Sequence, residues 1–203
     1  LARMMHQAGI ALGVRFRLLA DSPDDSAALV APDVVLGDYR DLETLRRFAA
    51  GCDVVTFDHE HVPTEHLLAL EADGVAVRPG SDALIHAQDK IVMRERLSAA
   101  GVPCPAWAEV TSVDDVEKFA SGVGWPVVLK TARGGYDGRG VVVVSDRREA
   151  EQALASARGR WLAEQRVDFQ RELSAMVARS PHGQAAAWPV VETVQVGAVA
   201  SFR

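Results

Sequence analysis

The stretch Trp125–Val144, WPVVLKTARGGYDGRGVVVV, constrains this chain more than any other. A short β-rich run, Val127 to Leu129, ends on Lys130. A loop with glycines at 134, 135, 138 and 140 follows, and four valines, Val141 to Val144, bring the chain back as a second strand. The glycines allow backbone conformations that a Cβ penalises and let main-chain N–H groups close on a ligand. A two-residue turn would serve a plain hairpin. Here Lys130, Tyr136, Asp137 and Arg139 stand among the glycines instead, as a cover over a polyphosphate requires.

Composition narrows what surrounds this unit. The 203 residues are 48% hydrophobic and 25% charged, enough to bury a core and too apolar for a disordered chain. The net charge of −6 argues against a nucleic-acid partner, which wants a basic excess. The longest apolar runs are strand-sized, so no transmembrane helix is expected. Cys52 and Cys104 fit no disulfide framework, and a reduced, cytoplasmic setting is the default.

The first half alternates. Residues 1–13, LARMMHQAGIALG, read as a helix closed by Gly13. Strands are expected at Val14–Ala20, Asp33–Leu36, Asp53–Phe57 and Val75–Val77, with helices at Leu42–Ala50 and Thr64–Ala72. Such alternation implies a parallel sheet, whose ligands sit beyond the carboxyl ends of its strands. Asp21 and the segment TFDHEHVP, Thr56–Pro63, fall at that edge. Asp58, His59 and His61 invite a metal reading, but no further ligand lies at a recognisable spacing, and none is assigned. The plain reading is a polar strand-end loop whose Pro63 begins the next helix; a substrate-lining Glu60 is the alternative. Asp89–Gly101 reads as a helix with Lys90 in its first turn, against the helix dipole, so Lys90 either serves a ligand or is a solvated surface lysine.

VPCPAW then breaks the chain, and the second half reads as antiparallel α+β. Strands are expected at Ala108–Thr111, on both sides of the glycine loop, at Trp161–Val167, Glu172–Ala178 and Ala185–Val196, with helices at Val113–Ser121 and Arg147–Ala157.

Taken together, the helix carrying Lys90, the strand–lysine–glycine-loop–strand unit and AEQRVDFQRE resemble the ATP-grasp superfamily. LARMMHQAG, HEHVP, the AQDK segment, GGYDGRG and EQRVDFQRE resemble, within it, the 5-(carboxyamino)imidazole ribonucleotide synthases of purine biosynthesis, over Leu1 to about Gln195. The resemblance implies a parallel-sheet pre-ATP-grasp domain at 1–88 and an ATP-grasp domain at 89–203. It implies that Lys90 and Lys130 contact the nucleotide and that Gly135, Tyr136, Asp137, Gly138, Arg139, Gly140 and Val141 fold over its phosphates. Glu164, Gln165, Arg166 and Val167 would line the adenine, Glu172 would hold the ribose, and Gln195 would complete the nucleotide site. Tyr136, Asp137 and Arg139 would face the aminoimidazole substrate and the acyl phosphate, as the catalytic residues.

The implied reaction is attack of bicarbonate on the γ-phosphate of ATP with magnesium, then capture of the carboxyl group by the amine of 5-aminoimidazole ribonucleotide. The implied assembly is a homodimer. The family also opens with a strand and a glycine-rich turn ahead of LARMM, and its magnesium ligands are expected beyond this chain, so the 203 residues alone are expected to be inactive. A ligase acting on formate or a biotin carrier is a second reading, which GGYDGRG with HEHVP opposes. A nucleotide-binding piece without turnover is a third.

Overall fold

The computed structural model describes residues 1–135, 140–156, 159–196 and 199–202. They form two compact units, Leu1–Arg96 and Leu97–Arg203. No helix among the described residues is long and apolar enough to cross a membrane.

The first unit opens with α1 (Ala2–Ala11). A Cβ on Gly9 would run into the Phe16 ring, so glycine lets the helix settle on the segment that follows. Strands β1 (Leu18–Ala20) and β2 (Val34–Leu36) pair in parallel, Leu18 opposite Val34 and Ala20 opposite Leu36. The strand expected from Val14 is therefore only three residues long. Its partner is just as short, because Pro32 precedes it without an N–H to extend the ladder.

Helix α2 (Leu42–Ala49) starts where Asp41 accepts from the Glu43 and Thr44 N–H groups as its N-cap. Helix α3 (Thr64–Ala72) has the expected bounds. The strands expected at Asp53–Phe57 and Val75–Val77 shrink to one parallel bridge, Val55 to Val77. Val55 donates to Ala76 and accepts from Arg78, and Pro79 then offers no N–H to carry the pairing on.

Helix α4 (Ser81–Gln88) was not foreseen. Its start is held by a distant residue: Glu71 accepts from the Ser81 N–H at 2.8 Å and from the Ser81 hydroxyl at 2.6 Å. These bonds hold the Glu71 carboxyl below its ordinary pKa. Helix α5 (Lys90–Ala99) begins one residue later than read, because Asp89 is its cap, accepting from the Ile91 and Val92 N–H groups. Leu45, Val55, Leu67, Leu70, Val77 and Leu84 make the core of this unit.

The second unit is built on β3 (Trp107–Val110), α6 (Val113–Val123), β4 (Val127–Thr131), β5 (Val141–Val144), α7 (Arg147–Ser156) and β6 (Trp161–Gln165). The four strands form one antiparallel sheet in the order β3-β6-β4-β5. Helix α6 starts with a reciprocal cap, Ser112 accepting from the Asp115 N–H while Asp115 accepts from the Ser112 N–H. Both helices contribute to a core with Val127, Leu129, Val144, Trp161 and Ala163 of the sheet. Val127 and Leu129 are wholly buried, each stabilising the unit by about 1.5–3 kcal/mol.

Beyond β6 the expected strands split. Glu172–Ala178 becomes β7 (Glu172–Ser174) and β8 (Val177–Arg179), and Ala185–Val196 becomes β9 (Ala185–Ala187) and β10 (Val191–Val196). Pro189 interrupts the second run. The inner pieces β8 and β9 close a separate ribbon, while β7 and β10 join β11 (Val199–Phe202), a strand not foreseen, in the order β11-β10-β7. Met176, Val177, Trp188 and Val190, in and beside the ribbon, are exposed.

Candidate nucleotide site

Alternation along β4 divides its side chains. Val127 and Leu129 enter the helical core, so Val128 and Lys130 point from the opposite face. Lys130 lies inside the strand rather than at its end, because Thr131 still pairs with Trp161. The register sets Glu164 opposite Val128 and Leu162 opposite Lys130, which makes Glu164 the diagonal neighbour of Lys130. The Lys130 ammonium is ion-paired with the Glu164 carboxylate. The Glu164 side chain is 4% exposed and that of Lys130 25%, so an almost dry carboxylate has a partly wet cation as its partner.

Opposite Glu164 on the other side stands Trp107, and opposite Lys130 stands Val141. The same face carries Val143, and both valines are exposed. Near the other end of the face Arg160 grips Glu109 with two bonds, Nε to Oε1 at 2.6 Å and Nη2 to Oε2 at 3.0 Å.

The loop between β4 and β5 closes on Gly140, whose C=O accepts from the Thr131 N–H at 2.8 Å. Gly140 has φ +76°, and a Cβ there would strike the Thr131 hydroxyl, so both backbone and space demand glycine. Gly135 is described at the near end of the loop. Tyr136, Asp137, Gly138 and Arg139, the residues expected to be catalytic, lie outside the described residues.

The other expected binding residues are distributed. Gln165 ends β6 and donates its N–H to the Ala106 C=O, and Arg166 and Val167 follow in exposed coil. Glu172 sits half-buried in β7 opposite Thr193, and Gln195 lies in β10 opposite Ala200, both in the three-stranded sheet. Lys90 belongs to the first unit, half-buried at the start of α5 beside the buried Asp89. The negative cap offsets the unfavourable position of a lysine at a helix N-terminus.

Chemically, a carboxylate only accepts hydrogen bonds, so a buried Glu164 suits an exocyclic amine, while the lysine ammonium is a compact charge for a phosphate. The exposed valines beside them offer apolar surface to a flat base. An adenine nucleotide fits this set. Among the described residues no group of three His, Cys, Asp or Glu side chains could hold a metal ion.

At the strand ends of the first unit, Asp21 and Asp58 line one polar cavity with Arg3, Asp25, Tyr39 and His59. Glu60 instead gives its C=O to the Gln88 amide at 3.0 Å. Gln88 also donates to the Val62 C=O at 2.7 Å and accepts from the Thr64 hydroxyl at 2.7 Å, so it fixes the loop that carries His59. Sequence reasoning missed this role, for which a glutamine at the end of an unrecognised helix gives no signal. His59 accepts the His61 N–H on Nδ1 at 3.1 Å.

An ATP-grasp domain model matches residues 95–201, and a ribonucleotide synthetase preATP-grasp domain model matches residues 1–88. The first match runs somewhat past Gln195, where the sequence resemblance was expected to stop. Over 199 residues the chain is 58% identical to N5-carboxyaminoimidazole ribonucleotide synthase of Mycobacterium tuberculosis, covering 96% of this chain and 46% of that protein. It superposes on the N5-carboxyaminoimidazole ribonucleotide synthetase of Thermus thermophilus with TM-score 0.87 and 35% identity, over 98% of this chain and 54% of that one. With the Aspergillus clavatus synthase, solved in complex with ADP and 5-aminoimidazole ribonucleotide, the TM-score is 0.84 at 28% identity, over 98% of this chain and 52% of the other. The chain spans about half the length of the curated relatives it matches.

Proposed function

Since this chain belongs to the ATP-grasp family, we propose that it is part of an ATP-dependent carbon–nitrogen ligase that carboxylates 5-aminoimidazole ribonucleotide with bicarbonate. The buried Glu164 paired with Lys130, on the face of the four-stranded sheet turned away from its helices, carries this reading. Glu164 accepts from the adenine amine, and Lys130 is drawn toward the phosphates. The glycine loop closes over them, with Tyr136, Asp137 and Arg139 turned to the aminoimidazole and the carboxyl donor. Exclusion of water then protects a carboxyphosphate that hydrolyses readily, and rate comes mainly from positioning and charge neutralisation.

Gln165, Arg166 and Val167 follow the adenine edge, Glu172 takes the ribose, and Gln195 and Lys90 complete the nucleotide contacts in the whole enzyme. Magnesium would neutralise the phosphates. Its ligands, a homodimeric assembly, a cytoplasmic location and the division at residues 88 and 89 are supported by family resemblance. Calorimetry of ATP binding tests the carrying observation. Glu164→Gln should weaken adenine nucleotides selectively over inosine nucleotides, whose base offers no exocyclic amine. Equal loss for both would remove Glu164 from the base site.

A further inference from the structure

The sheet face that carries Lys130 and Glu164 has a further large side chain, to which the nucleotide reading gives no task. Val110 enters the helical core, so alternation along β3 turns Trp107 to the same face as Glu164. The register sets Trp107 directly opposite Glu164, with Val128 on the other flank of the carboxylate and Val143 beyond it. The next pair along fixes how near they come. The Gln165 N–H donates to the Ala106 C=O at 2.8 Å, which makes Ala106 and Gln165 a hydrogen-bonded pair and Trp107 and Glu164 a non-hydrogen-bonded one. Side chains approach most closely at such positions.

Trp107 is also tethered. Its Nε1–H donates to the Ser98 hydroxyl at 3.0 Å, near the end of α5, and both residues belong to the second unit. Strand β3 is the outer strand in the order β3-β6-β4-β5, so the half-buried indole stands between Glu164 and the edge of the sheet. A tryptophan serving the core alone would sit with Val110 among the helices. This one closes the flank of a carboxylate that is 4% exposed.

Building on the reading of Glu164 as acceptor for the adenine amine, we propose that Trp107 is the positioning residue for base selection. Its ring, held by Ser98, keeps water off the far side of the Glu164 carboxylate and holds that carboxylate toward the base, which Trp107 itself does not touch. The physical reason lies in what happens to the wrong base. A purine with a 6-oxo group brings an acceptor to Glu164 in place of a donor. A dry carboxylate is then left unpaired, and the site rejects that base strongly. If water reaches the carboxylate from the sheet edge, it supplies the missing donor and the rejection shrinks.

Two measurements test this, one of them without ligand. On the 203-residue chain, urea unfolding followed by circular dichroism gives the cost of Lys130→Ala in wild type, in Ser98→Ala and in Trp107→Ala. Losing the ammonium costs less beside a wetter carboxylate, so the cost should fall to about half in Trp107→Ala and lie between in Ser98→Ala. The second compares calorimetric dissociation constants of ATP and ITP in the whole enzyme. Trp107→Ala should lower the preference for ATP about five- to tenfold. Trp107→Phe, which keeps a ring and loses the N–H, and Ser98→Ala should each lower it about two- to threefold. General loosening would weaken both nucleotides alike and leave their ratio intact. With Glu164→Gln in place, Trp107→Ala should change the preference no further, as action through Glu164 requires. A ratio lowered by Glu164→Gln but untouched by Trp107→Ala and Trp107→Phe would overturn the proposal and leave the nucleotide reading standing. A ratio untouched by Glu164→Gln would overturn both. A Lys130→Ala cost that is the same in every background would also overturn the proposal, and Ser98→Ala with Trp107→Phe decides it if Trp107→Ala does not fold.

Discussion

Removing the Lys130 ammonium should cost the protein stability before any ligand is added. In Lys130→Ala the Glu164 carboxylate, 4% exposed, loses the Lys130 ammonium and stays behind in the sheet. Breaking a fully buried pair from one side costs about 3–5 kcal/mol. Lys130 is 25% exposed, and water can enter the space its side chain leaves, so about 2–3 kcal/mol is expected here. Glu164→Gln should cost less, because a lysine at a partly wet position resolvates. In Lys130→Ala with Glu164→Gln both charges go together, and the double variant should lie closer to wild type than the sum of the single losses. Urea unfolding followed by the fluorescence of Trp107 and Trp161, in the same sheet, measures all four corners of the cycle. Strictly additive losses, or a Lys130→Ala protein as stable as wild type, would refute the argument that this pair is coupled.

Gly140→Ala places a Cβ at φ +76° against Thr131 and should destabilise the hairpin by about 1–2 kcal/mol; thermal unfolding would show it, and an unshifted midpoint would count against the closure described. Asp89→Ala removes the cap of α5 and should cost about 1–2 kcal/mol, read as lost amide protection in the first turn of that helix. Asp115 is held at a pKa of about 2, chiefly by the Thr111 N–H and the Ser112 and Thr111 hydroxyls. A depressed carboxyl stabilises the fold above its unfolded pKa of 3.8, and the contribution fades as pH falls through that value toward 2. Asp115→Asn should therefore flatten the acid limb of the stability profile in that window.

What the sequence made legible was whatever is encoded within a few residues. The helix expected at Val113–Ser121, the helix after Pro63 and the valine strand after the glycine loop all carry their signals locally, and each formed within a residue or two of expectation. Helix α4 escaped because its first N–H groups are satisfied by Glu71, ten residues upstream, and its own pattern is weak. The strands at 53–57 and 75–77 were overcalled because apolar content is local while pairing length depends on a partner. The splitting of Glu172–Ala178 into two strands belongs to the same class, since adjacent residues chose different sheets. Of the site, Lys130 and Glu164 were named separately. Their mutual contact follows from a register that joins strands more than thirty positions apart, which no periodicity reveals.

The ribbon of β8 and β9 has a practical reading for anyone reshaping this protein. Its turn, Ser180 to Gly183, is exposed or half-exposed throughout, and its strands pair only with each other. Neither hydrophobic core draws a residue from it. Loop tips of this kind are where chains tolerate inserted segments. A fluorescent reporter or an affinity tag spliced at His182 would interrupt no ladder of the four-stranded sheet and leave both units to fold around it.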